Sequence, residues 1–171
     1  MEDAGLLWMM KPGKRPITGV YGGQQEKFKN RYPEAWNSAE KFAIVRNPYD
    51  KFISGWRYLD ATKNRSLKDV LENPPTKSES LHDYNHLTRS QSSMLCDENG
   101  NLITKFIVKY ENLGEELNDL LTKLELPQVE IPWTNKTKKR EPGYRKYFDS
   151  ETRALFEERF SKDLELFDYQ F

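Results

Sequence analysis

Arg46 and Ser54 are the two side chains whose types and spacing first suggest chemistry. Arg46 closes the apolar run Phe42-Ala43-Ile44-Val45, and Ser54 lies on the segment that follows. Asn47 is a good helix cap and Pro48 a good first helical residue. An arginine at that corner would stand beside main-chain N–H groups at the positive end of a helix, and a serine hydroxyl about two turns on adds a donor. Together these groups can hold an anion. The plainer alternative is a strand-end arginine in an ion pair and a serine packed on a helix. The local pattern leaves both open.

Few other residues offer chemistry. The run Lys136-Thr137-Lys138-Lys139-Arg140 is basic, and its ordinary reading is a solvated surface. Acidic and basic residues balance at 27 each over 171 residues, and no nucleic-acid motif is present, so a nucleic-acid partner is not expected. Cys96 is the single cysteine, which excludes an internal disulfide and reads as a small buried hydrophobe. With only His82 and His86 beside it, it does not make up a structural zinc set, and no metal is expected.

Phe42 to Val45 reads as a strand covered on both faces. Phe52, Ile53, Trp56 and Leu59 then recur at helical spacing. Residues 1–20, with KPGKRPITG, read as loop. A short helix is expected over Gln24–Arg31, ending before Pro33, and another from the cap Ser66 through Leu71. Asp97-Glu98-Asn99-Gly100 between Met94-Leu95 and Leu102-Ile103 predicts a hairpin with a type I′ turn. Phe106-Ile107-Val108 predicts a second buried strand. Asn112 would cap a helix carrying Leu117, Leu120, Leu121 and Leu124, and Asp149 or Ser150 one carrying Phe156, Phe160, Leu164 and Phe167. Strand followed by helix, twice over, predicts an α/β domain with a parallel sheet. No run is long enough to span a membrane and MEDAGLLWMM is no signal peptide, so the cytoplasm is the default location.

The string RNPYDKFISGW closely resembles the 3′-phosphate-binding motif of sulfotransferases that use 3′-phosphoadenosine 5′-phosphosulfate (PAPS), in the family 2 type related to carbohydrate O-sulfotransferases. Arg46, Asn47, Pro48 and Ser54 occupy the matching positions. Lys51 stands where many relatives carry arginine, keeping the charge without the bidentate fork. KFIVKYENLGEEL resembles that family's strand ending in aromatic-Glu-Asn-Leu. Tyr110 would then lie near the nucleotide, or else close its strand against the core. YRKYFDSETRALFEERFSKDLELFDY resembles the family's closing helix, and Lys138, Lys139 and Arg140 before it would clamp the cofactor phosphates. LHDYNHLTRSQ resembles a His-x-x-x-x-Gln segment bordering the acceptor cleft. It offers His86 as the base, against an ordinary histidine, and Arg89 and Gln91 as acceptor contacts, against exposed side chains.

The resemblance implies a P-loop-like nucleotide-binding fold, a central parallel sheet flanked by helices. It treats residues 1–171 as one domain and is strongest over 35–171. It implies sulfuryl transfer from PAPS to a hydroxyl of a carbohydrate or similar acceptor, leaving adenosine 3′,5′-bisphosphate (PAP), without a metal, and a homo-oligomer is left open. The family's 5′-phosphosulfate loop, Pro-Lys-(Thr/Ser)-Gly, is not found. Lys11-Pro12-Gly13-Lys14 has another order. The expectation is therefore a domain that is N-terminally incomplete or lacks the loop. A PAP-binding remnant without chemistry and an interaction domain are the alternatives.

Overall fold

A computed structural model describes residues 7–10, 18–20, 29–130 and 143–171. The chain divides into two compact units, one of residues 1–46 and 91–136, the other of 47–90 and 137–171.

The first unit carries a sheet ordered β2-β1-β3-β4. β3 (Glu40–Val45) and β4 (Phe106–Lys109) are the two apolar runs anticipated above, and they pair in parallel, Phe42 opposite Phe106 and Val45 opposite Lys109. The α/β expectation with a parallel strand pair is met. One correction concerns the N-terminal loop. β1 (Leu7–Met10) pairs antiparallel with both β3 and β2 (Thr18–Val20), which makes the sheet mixed. Strands of three or four residues are too short to show a period of two, and their pairing is imposed by the neighbouring backbone. Of the helix expected over Gln24–Arg31, residues 29–31 are helical and the rest lies outside the described residues. The short helix α1 (Pro33–Ser38) precedes β3.

The hairpin expectation is also corrected. Residues 97–101 do form a tight turn: Gly100 N–H donates to the Asp97 carbonyl at 3.0 Å, and Asp97 N–H to the Asn101 carbonyl at 2.8 Å. Gly100 alone has a positive φ, 83°, so this is a three-residue loop and not type I′. Only Cys96 and Leu102 bridge beyond it. Met94-Leu95 belongs to a single helical turn, α5 (Ser92–Leu95), with both side chains buried. Cys96 itself is half-buried, not fully buried. β4 runs through a 3₁₀ turn (Tyr110–Asn112) into α6 (Leu113–Lys123), whose Leu120 and Leu121, with Leu124, pack on Phe42 and Val108. Asn112 sits at the cap position without a side-chain cap bond.

The second unit is helical: α2 (Pro48–Tyr58), α3 (Leu67–Glu72), α4 (Leu81–Thr88) and α7 (Ser150–Leu166). Ser66 caps α3 as expected, accepting from Asp69 N–H. Asp149 caps α7 in a reciprocal capping box with Thr152. The core is aromatic. Tyr49 stacks on Phe156 at 4.6 Å, Phe156 on Phe160 at 4.6 Å, and Phe52 meets both edge-on. Phe156 is 0% exposed. Tyr49 is 1% exposed, and its hydroxyl donates to Glu157 Oε1 at 2.7 Å, where Arg153 Nε also donates at 2.7 Å. Burial and the carboxylate push the Tyr49 phenol up, while the two donors, Tyr49 first, hold Glu157 below the usual carboxylate range.

Two outcomes follow. Phe156→Ala should cost about 3–5 kcal/mol in urea unfolding, because a large buried ring leaves a cavity. A carboxyl whose folded pKa is depressed adds stability above its unfolded pKa, and that stability is lost as pH falls through the folded value. Tyr49→Phe should therefore cost about 1–2 kcal/mol at neutral pH and flatten the acid limb below the ordinary glutamate range, read as melting temperature against pH.

Candidate functional site

Arg46 is the residue immediately after β3, and Tyr110 the residue immediately after β4. Because the two strands are parallel and paired Val45 to Lys109, both side chains start from the same edge of the sheet. That is the carboxyl end, where α/β sheets bind ligands. The Arg46 guanidinium lies over the Tyr110 ring, 5.2 Å from its centroid. A planar cation held against a ring keeps a fixed fork, the geometry that phosphate recognition uses. The Arg46 main chain is held separately. Its N–H donates to Gln91 Oε1 and its carbonyl accepts from Gln91 Nε2, each at 2.8 Å. Gln91 is 0% exposed, so of the two readings of this residue the ordinary exposed side chain does not hold, and its amide faces the Arg46 main chain. No periodicity in the polar string LTRSQSS distinguishes a buried glutamine from an exposed one.

In the helical unit, Asn47 stands at the cap of α2 with φ −47° and ψ 120°. Its Oδ1 accepts from Tyr49 N–H at 3.0 Å and Asp50 N–H at 3.3 Å. Pro48 has no N–H. The first-turn donors expected to face an anion are thus taken by Asn47. Ser54 is exposed on α2, as its spacing implied. Lys51 turns to α4 instead, its Nζ donating to the carbonyls of His86 and Arg89 at 3.3 Å each. That is a cation at a helix C-terminus, where orphan carbonyls carry partial negative charge. Arg89 is half-buried at the end of α4.

The His86 ring packs on Gly55. A β-carbon at position 55 would stand 2.6 Å from His86 Cδ2 and 3.1 Å from Nε2. A glycine inside a helix costs about 1 kcal/mol against alanine, a sequence signal of close approach that could have been read. His82 lies 6.0 Å from His86, ring to ring, and its Nδ1 is 2.9 Å from Asp83 Oδ1. The His82 hydrogen bond holds Asp83 below its ordinary value. Lys138, Lys139 and Arg140 lie outside the described residues. Among the described residues, no group of three or more His, Cys, Asp or Glu side chains could hold a metal ion, and no helix is long and apolar enough to cross a membrane.

The class defined by this sheet edge and motif is that of the sulfotransferases. The chain belongs to the sulfotransferase family, whose family model matches residues 21–170. No curated protein and no solved structure matches it.

Gly55→Ala would gain helix propensity in open space. Against the His86 ring it should instead cost about 1–3 kcal/mol, and the double variant with His86→Ala should recover most of that loss, read as a coupling energy from urea unfolding.

Proposed function

We propose that this chain is a PAPS-dependent sulfotransferase domain acting on a hydroxyl of a carbohydrate or similar acceptor. The observation that carries the reading is Arg46 over Tyr110 at the carboxyl ends of two parallel strands, within a motif that resembles the family's 3′-phosphate contact. Arg46 and Ser54 Oγ would donate to the 3′-phosphate, and Tyr110 would lie beside the nucleotide. Lys138, Lys139 and Arg140 would neutralise its phosphates. The family match, over residues 21–170, takes in residues of both units, which supports treating residues 1–171 as one domain.

In the proposed reaction, an acceptor oxygen forms a bond to sulfur while the bond from sulfur to the bridging phosphate oxygen breaks, leaving PAP and a sulfate ester. The acceptor proton passes to a base, for which His86 is the candidate. Arg89 would face the acceptor. Rate enhancement would come from alignment and from charge stabilisation of the leaving nucleotide.

Calorimetric titration of PAP into the wild type and Arg46→Ala tests the site. Loss of a charged hydrogen bond to phosphate should weaken binding by about 1.5–3 kcal/mol. PAP binding that ignores the substitution, or that is absent from the wild type, would sink the assignment. Tight PAP binding with no sulfate transfer from PAPS to any carbohydrate hydroxyl would favour a nucleotide-holding domain without turnover.

A further inference from the structure

The parallel pairing of β3 and β4 reaches Val45 and Lys109, and Arg46 comes one residue later. Gln91 meets both main-chain polar groups of that residue at 2.8 Å. One carboxamide thereby does at Arg46 what a neighbouring strand does along a sheet, satisfying an N–H and a C=O of the same residue. With Gln91 at 0% exposure, water cannot replace it, and such bonds matter most where the dielectric is low. The orientation of the Arg46 main chain sets the direction of its Cβ, and the guanidinium rides on that direction to the face of Tyr110.

We propose that Gln91 is a positioning residue for anion recognition: it fixes the root of Arg46 while Tyr110 fixes the head, so that the guanidinium fork is preformed for a phosphate monoester. The proposal rests on the reading of Arg46 as the 3′-phosphate contact. It gives Gln91 a role in nucleotide selectivity and none in acceptor contact.

The test compares PAP with adenosine 5′-monophosphate, which lacks the 3′-phosphate, by calorimetric titration. The ratio of the two affinities measures the 3′-phosphate contribution. Gln91→Met, close in shape but without the amide, should lower that ratio about tenfold while leaving the monophosphate affinity within about twofold. Gln91→Glu covers the case in which the apolar variant does not fold. Its carboxyl reproduces the donor and acceptor of the amide only when protonated, so its ratio, taken relative to wild type, should recover as pH falls. A ratio unchanged in a folded variant, an equal loss for both nucleotides, or a Gln91→Glu ratio that ignores pH would overturn the role of Gln91. Failure of the underlying reading looks different: the wild type would show no preference for PAP, or Arg46→Ala would leave the preference intact.

Discussion

Among the described residues, the proposed anion contact depends on one abrupt change of backbone conformation. β3 is extended through Val45, and α2 is helical from Pro48, so the switch is confined to Arg46 and Asn47. Asn47 solves the helical side of the problem by placing Oδ1 on two first-turn N–H groups, and Pro48 removes a third donor outright. Gln91 solves the extended side by holding the main chain of Arg46. Neither solution uses the guanidinium, which lies instead over the Tyr110 ring, as a planar and weakly hydrated cation can.

The consequence for electrostatics is a narrower source of positive charge than a helix terminus usually provides. Capped N–H groups still contribute to the helix dipole but do not point at a ligand. Asp50 in the first turn offsets part of that potential, and Lys51 spends its charge on two carbonyls of α4. In the proposed reading, attraction for the 3′-phosphate would therefore rest mainly on the Arg46 guanidinium. A proposed contact of that kind gains from pre-orientation, because rotamer freedom lost on binding would cancel much of a single charged contact.

Some of this was legible in the residues and some was not. The buried strands at Phe42–Val45 and Phe106–Val108 announce themselves as apolar runs, and Asn47, Ser66 and Asp149 cap as their types suggest. The positions of Arg46 and Ser54 follow from those elements. The antiparallel half of the sheet was not legible, because β1 and β2 find their partners in strands elsewhere in the chain, and the turn at 97–101 forms as its residues suggest while Met94-Leu95 before it closes a buried helical turn instead of a strand. The burial of Gln91 was not legible either, since its amide meets the main chain of a residue 45 positions away. The hydrogen bond between Tyr49 and Glu157, likewise, joins residues that no local pattern connects.

Both compact units are discontinuous in the chain, each made of two stretches that alternate along it. During synthesis neither can close early. β3 leaves the ribosome well before β4, its parallel partner, and Tyr49 must wait for Phe156, about a hundred residues later, or on the order of 5–20 seconds at ordinary elongation rates. Until β4 is made one edge of β3 has no partner, and until Phe156 and Phe160 are made the rings of Tyr49 and Phe52 lack the aromatic half of their core. Transiently exposed apolar surface and unpaired strand edges are what make partly folded chains prone to aggregation, and alternating units prolong both.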